Sequence, residues 1–210
     1  MKKKKKKLIF FIIILIAAAV LVYMALNLNN KGSDKPIKKV VDEIEKFDYT
    51  VSETDTKLFK DEFKKLKKEL SKKKIDNKEY ATIVAKLFII DFFTLDNKLS
   101  KNDVGGIQFV YSEYKTSFID KARDEFYRYV KSNLDNNRDQ KLPIVKEIKV
   151  TSCEEITTSS ELSGEQFSSI DEAYKISLNW KYKEDLGYQS SGNVIVIKDN
   201  EKFSVAKLYE

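Results

Sequence analysis

Asp91 is the residue of this 210-residue chain whose type and position most suggest chemistry. It lies near the end of a strongly apolar segment, residues 80–95, and shares one helical face with Val84 and Leu87. Because an unpartnered buried carboxylate is costly, such a group acquires a partner or has its pKa raised. Asp91 is therefore the candidate catalytic or ligand-binding residue, as a general base or as an anchor for a ligand.

A structural role explains the same residue. A carboxylate at the end of a helix can instead bond to a tyrosine, a lysine or the main-chain amides of the following loop, here residues 94–104. The substitution Asp91→Asn distinguishes the two hypotheses. Loss of folding alone indicates the structural role, whereas loss of ligand binding with the fold intact indicates a site. The sequence favours the structural role and leaves the other open.

Other kinds of reactive site have little support. The chain has no histidine and a single cysteine, Cys153, so neither a zinc site nor an internal disulfide is expected. Ser-x-x-Lys, the spacing of a lysine-activated serine nucleophile, occurs about as often as chance predicts in so lysine-rich a chain. We expect no metal and no cofactor, and the composition favours a non-enzymatic role without excluding an enzyme.

The N-terminal segment predicts where the protein lies in the cell. Six lysines precede an apolar run without charge, glycine or proline, so residues 1–7 are predicted to be a cytoplasmic flank and residues 8–28 a transmembrane helix. The central part of the run, about 19 residues at about 1.5 Å per residue, reaches about 28 Å, close to the hydrocarbon thickness of a bilayer. A cleaved signal peptide is the alternative, but cleavage at the alanines 17–19 would leave an apolar stub.

This topology places the rest of the chain outside the cytoplasm, with membrane lipid as the partner of residues 8–28. The missing disulfides and N-glycosylation acceptors fit a bacterial cell membrane. The six N-terminal lysines account for the whole formal net charge of +6. A pI near 9 therefore does not indicate nucleic-acid binding, and no nucleic-acid partner is expected.

The remaining chain divides into residues 29–54, predicted to be a linker and a short helix, and residues 55–210, predicted to be an α+β domain. The short helix is predicted from the spacing of Ile37, Val40, Val41 and Ile44. A second helix is predicted to about residue 73, with Phe59, Phe63, Leu66 and Leu70 as its apolar stripe. Residues 80–95 are predicted to form the central buried helix. A fourth helix is predicted to begin at about Ser112 or Ser117 and to end at Leu134, with Phe118, Ala122, Phe126, Tyr129 and Val130 facing the core.

The hydrophobic period changes to two in the C-terminal third. Residues 174–182 alternate between apolar and polar side chains, which predicts a strand with one face in the core. Residues 194–197 are apolar on both faces and predict a covered strand, and Phe203 and Val205 lie in the last one. Helices followed by antiparallel strands predict an α+β fold with the helices on one face of a curved antiparallel β-sheet.

This element order resembles the NTF2-like (cystatin-like) superfamily, in which an antiparallel sheet wraps around a long helix. With its N-terminal span, the chain also resembles the VirB8-type scaffold proteins of secretion machines in architecture. The resemblance covers residues 55–210 and includes no specific motif, so it implies a fold and no site residues. Enzymes of the superfamily commonly use a His–Asp pair, and this chain has no histidine.

Two functions are predicted from these features. The first is a single-pass, extracytoplasmic assembly, scaffold or binding module without catalysis, with protein partners in the cell envelope and possible self-association. The alternative is a small-molecule-binding or lyase/isomerase-type NTF2-like domain, in which Asp91 lies in an apolar cone. A deep apolar cavity that contains Asp91 would favour the alternative.

Overall fold

Three helices pack on a curved antiparallel sheet in the computed structural model, which describes residues 39–157, 162, 167 and 170–209. The described residues belong to one compact unit, Lys38–Glu210. The predicted α+β class is therefore confirmed. Residues 1–7, residues 8–28 and the first part of the predicted linker lie outside the described residues. Among the described residues, no helix combines the length and the apolarity that crossing a bilayer requires.

Residues 40–52 form a β-hairpin, so the short helix predicted there is wrong. Strand β1 (Val40–Ile44) pairs antiparallel with β2 (Tyr49–Ser52), and Asp48 adopts a positive φ of 53° at the turn between them. The helical spacing spans little more than two turns, and pairing with β2 overrides so short a pattern. The hairpin contributes three buried side chains to the main core: Phe47, Tyr49 and Val51. The folded domain thus begins before residue 55.

Helices α1 (Lys57–Leu70) and α2 (Asn77–Phe93) form where the apolar periodicity predicts them. Helix α1 begins at Thr56, whose side-chain oxygen accepts a hydrogen bond from the N–H of Phe59 at 3.2 Å. Helix α2 is buried around most of its circumference, because α1 covers one side and the strands of the main sheet cover the other. The prediction of a central buried helix is confirmed.

Helix α3 (Lys115–Asp124) is much shorter than the predicted fourth helix, which was expected to reach Leu134. A 3-10 turn, Ser112–Tyr114, leads into it. At Glu125 the backbone leaves the helical region, with φ −110° and ψ −82°. The periodicity therefore predicted the start of this helix and not its end.

Tyr127 explains why the helix ends early. Its N–H bonds to the carbonyl of Ala122 at 2.8 Å, five residues back, which widens the last turn. The altered path buries the Tyr127 ring completely, at 0 % exposure, whereas Tyr129 is 75 % exposed. The prediction of Tyr129 as a core residue is therefore wrong, and the adjacent tyrosine takes that role.

The main sheet contains four described strands in the order β3, β4, β5, β6, each antiparallel to its neighbour. Their bounds are β3 (Val145–Ile156), β4 (Ala173–Tyr182), β5 (Ser191–Asp199) and β6 (Lys202–Tyr209). In β4 the alternation follows the prediction, since Trp180 is buried and Asn179 is exposed. Strand β5 is covered on both faces: Val194 and Val196 join the main core, and Ile195 and Ile197 a smaller cluster with Tyr111 and Phe167.

Candidate functional site

Asp91 lies in the last turn of α2, and both of its carboxylate oxygens are bonded. Oδ1 forms an ion pair with the ammonium of Lys98, and Oδ2 accepts a hydrogen bond from the N–H of Gly106 at 2.6 Å. Both partners belong to the loop that follows α2. The carboxylate is thus held by a lysine and a main-chain amide, the type of partner that a structural role requires.

Lys98 is the more deeply buried member of the ion pair. Its side chain is 1 % exposed, and that of Asp91 is 16 % exposed. The main-chain carbonyl of Lys98 accepts a hydrogen bond from the Arg138 guanidinium at 2.8 Å, which fixes the loop from its other side. Nothing in the sequence separates Lys98 from the other lysines of this chain, so it could not be predicted as the partner of Asp91. Only the fold shows that it is buried.

Tyr127 completes this polar cluster. Its hydroxyl donates to the carbonyl of Phe92 at 2.6 Å and accepts from the N–H of Gly105 at 3.0 Å. Burial, assisted by the nearby Asp91 carboxylate, raises the pKa of the Tyr127 phenol well above its usual range. The hydroxyl therefore stays protonated and remains a donor. The cluster joins the end of α2 to its loop through these internal contacts.

A separate apolar cavity of about 570 Å³ lies between α2, α3 and the edge of the sheet. Asp91 does not line it. Phe88, Phe92 and Phe93 of α2 form one wall, and Phe118 and Phe126 form another. An apolar cavity is therefore present, but it is not the one expected for the alternative function, because Lys98 and Gly106 hold the Asp91 carboxylate outside it.

The aromatic walls of the cavity support one another. The rings of Phe88 and Phe92 are stacked, with centroids 5.6 Å apart and planes 5° apart. Phe118 lies 5.8 Å and 5.2 Å from these two rings, and Phe126 lies 5.2 Å from Phe92. Contacts of this kind hold each ring in place without a ligand. The cavity is therefore preformed, and a ligand would not have to order its walls.

Trp180 lies behind the cavity wall, with its ring centroid 4.6 Å from that of Phe93. Its indole N–H donates to the hydroxyl of Tyr182 at 2.8 Å. Burial raises the pKa of Tyr182 to about 12, so this hydroxyl is protonated and donates in turn to the carbonyl of Gln189. Gln189 lines the cavity. Trp180 is the only tryptophan of the chain and therefore a natural fluorescence reporter for this region.

The charged side chains of the lining lie at the rim of the cavity. Ser117 and Lys121 are spaced four residues apart on α3, so they follow one face of the helix, and Glu125 comes directly after its last residue. All three side chains are exposed. Lys207 of β6 is exposed on the opposite side. The charged groups of the lining thus contact solvent, and the interior is aromatic and aliphatic.

The three charged side chains of the lining, Lys121, Glu125 and Lys207, are exposed to solvent and lie away from the apolar interior of the cavity. Within the described ranges, no group of three or more His, Cys, Asp or Glu side chains is placed to hold a metal ion. Concave, preformed apolar sites with a few polar groups at the edge are typical of ligand and peptide recognition.

Comparison of the chain with protein-family models, with curated proteins and with solved structures found no match.

Proposed function

We propose that this chain is a membrane-anchored, extracytoplasmic binding module without catalytic activity, whose aromatic cavity holds an apolar part of a partner protein in the cell envelope. The observation that carries the proposal is the preformed cavity of about 570 Å³ with its aromatic walls and polar rim. Exposed apolar sites of this kind mark interaction surfaces in soluble domains. A partner that inserts an aromatic or branched side chain would bury it among Phe88, Phe92 and Phe118.

The position of the domain on a membrane is the second part of the proposal. It is supported by the apolar residues 8–28 and by the lysines that precede them. An NTF2-like fold, with VirB8-like architecture, is the third part. It is supported by the buried α2 on a curved antiparallel sheet, although the additional β1–β2 hairpin precedes the helices.

The volume of the cavity also suits a small apolar molecule, since ligand pockets commonly measure about 300–1,000 Å³. In this second candidate function a small molecule binds in the cavity, as in the alternative hypothesis, but Asp91 has no catalytic role. Asp91, the residue proposed as a base, contacts Lys98 and Gly106 instead of the cavity.

Photo-crosslinking tests the binding site. A photoreactive benzoylphenylalanine at Phe118, which lines the cavity, is expected to form an adduct with the partner in membranes of the native cell. The same group at Tyr129, which is 75 % exposed and does not line the cavity, is the matched control and is expected to form none. Filling the cavity with Ala122→Phe is expected to lower the adduct yield by about tenfold, as for a binding contact worth about 1.4 kcal/mol.

Equal adduct yields at the two positions, or a yield that Ala122→Phe leaves unchanged, would contradict this use of the cavity. The emission spectrum of Trp180 shows whether the Ala122→Phe variant is folded, because this residue is 3 % exposed.

The membrane topology has its own test. With alkaline phosphatase fused to the C-terminus, the full chain is expected to be active, because the enzyme matures only outside the cytoplasm. Changing residues 2–7 from lysine to glutamine removes the positive flank and is expected to lower the fusion activity by more than about half. The control variant carries glutamine at exposed lysines of α1, Lys64, Lys67 and Lys68. Equal activity of the two variants argues against orientation by the N-terminal lysines.

A further inference from the structure

The outer edge of β6 is partly used by the chain itself. Strand β6 is the last strand of the sheet order, so within the described part of the chain one of its edges has no neighbouring strand of that sheet. Val110 forms an isolated parallel bridge with Val205, and the N–H of Tyr111 donates to the carbonyl of Val205 at 2.9 Å. The hydroxyl of Tyr49 donates to the carbonyl of Phe203 at 2.9 Å. Up to Val205, the outward carbonyls of β6 are therefore satisfied.

Beyond Val205, the edge of β6 runs beside the cavity, which Leu208 lines. In an antiparallel ladder, alternate residues direct their N–H and C=O groups toward the partner strand and away from it. The carbonyl of Tyr209 lies 3.3 Å from the position that a Cβ on Gly192 would occupy, so it faces β5. A register shift between Ile195 and Val196 leaves Ala206 as an extra residue of β6, which reverses the alternation after Val205. The main-chain groups of Leu208 therefore point away from β5. Among the described residues, no main-chain group outside the sheet bonds to Leu208.

The cavity follows this edge of the strand. Val205 and Leu208 pack against the main core, whereas Ala206 packs against the smaller cluster on the other face of the sheet, yet all three line the cavity. A space that touches residues of both faces must run beside the strand instead of above one face. The other wall of this groove is α3, with Phe118 and Ala122 inside and Lys121 at the rim.

We infer that the partner binds by strand addition: an extended peptide segment pairs with the edge of β6 at Leu208 and inserts one apolar side chain into the cavity. A groove between a strand edge and a helix provides main-chain bonds for affinity and a side-chain pocket for specificity. The main chain of Val110 and Tyr111 already pairs with the same edge of β6 at Val205. An acyl chain would fill the pocket without using the main-chain groups of Leu208.

The charged side chains around the groove indicate which charge the partner segment carries. Two lysines, Lys121 and Lys207, and one acid, Glu125, are exposed around the opening. An acidic residue beside the apolar anchor of the peptide complements the positive excess and favours association. The inferred partner segment is therefore extended, alternates apolar and polar residues, and carries an acidic residue next to an aromatic or branched anchor. This inference rests on the proposed function of the cavity.

The full chain in lipid nanodiscs, panned against a phage-displayed library of random decapeptides, tests the inference. Peptides with the alternating pattern are expected to be enriched. For a synthetic copy of an enriched peptide, Leu208→Pro is expected to weaken binding about tenfold more than Leu208→Ala, because only proline removes the outward N–H. Methylating the peptide nitrogens one at a time is expected to weaken binding at alternate positions, and this arm leaves the protein unchanged.

The outcomes separate the two proposals. Peptides that bind less well to Ala122→Phe, but are insensitive to Leu208→Pro and to N-methylation, overturn strand addition and leave the proposed function standing. If no peptide is enriched, or if enrichment is unaffected by Ala122→Phe, both are overturned. In that case, native mass spectrometry that finds a lipid acyl chain bound to the native chain and not to Ala122→Phe would assign the cavity to an apolar ligand instead.

Discussion

Replacing Lys98 with methionine is expected to lower the free energy of unfolding by about 3–5 kcal/mol, the usual cost of leaving one member of a buried ion pair without its partner. Lys98 is 1 % exposed and Asp91 is 16 % exposed, so water compensates the remaining carboxylate poorly. Urea titration of the full chain in nanodiscs, followed by the emission of the single tryptophan, Trp180, measures the change.

Two controls show whether the effect belongs to the ion pair. Lys101→Met removes an exposed lysine of the same loop and is expected to change the free energy of unfolding by less than about 0.5 kcal/mol. The double variant Lys98→Met, Asp91→Leu removes both charges and is expected to recover most of the loss, because apolar pairs often replace buried ion pairs without cost. A double variant as unstable as Lys98→Met alone would show that the loss comes from packing.

Gly105→Ala is expected to destabilise the same region by about 3 kcal/mol, at the upper end of the usual range for overpacking. A Cβ at this position would lie 2.2 Å from the main-chain oxygen of Asp91 and 2.7 Å from its carbonyl carbon. Neither atom can move without unwinding the end of α2. The loop must therefore shift away, which weakens the bond between the Gly105 N–H and Tyr127.

Gly187→Ala is the matched control for the glycine prediction. Gly187 has a positive φ of 74°, and nothing lies within 4 Å of the position of an added Cβ. Its replacement is expected to cost about 1–2 kcal/mol from backbone strain alone. The same urea titration compares the two variants, and equal losses would show that the loop at Gly105 can move away without cost.

Local sequence patterns predicted the elements whose apolar residues repeat over several turns or several strand positions. Helix α2 was predicted as the central helix because apolar residues surround it, and β4 because its side chains alternate over nine residues. The short apolar pattern at Val40 and Val41 wrongly predicted a helix, because pairing of β1 with β2 outweighs a helical spacing that spans only two turns. The end of α3 was missed because the burial of Tyr127 depends on the end of α2.

The candidate site was likewise predictable from the sequence only in part. The polar surroundings of Asp91 were partly predictable, since a carboxylate near the end of a buried helix must have a partner. That Lys98, among 39 basic residues, provides it could not be read from the sequence. The cavity was equally unpredictable in position, because its walls come from α2, α3 and β6, which lie far apart along the chain.

The amino-acid sequence by itself determined the α+β class, the buried character of α2, the strand pattern of β4 and the presence of an N-terminal apolar run. Each of these depends on the spacing of residues close together in the chain. Only the tertiary structure decided that Asp91 belongs to an ion pair and that a separate aromatic groove runs beside β6. Both depend on contacts between distant segments, and such contacts are set by packing and burial, which local spacing does not encode.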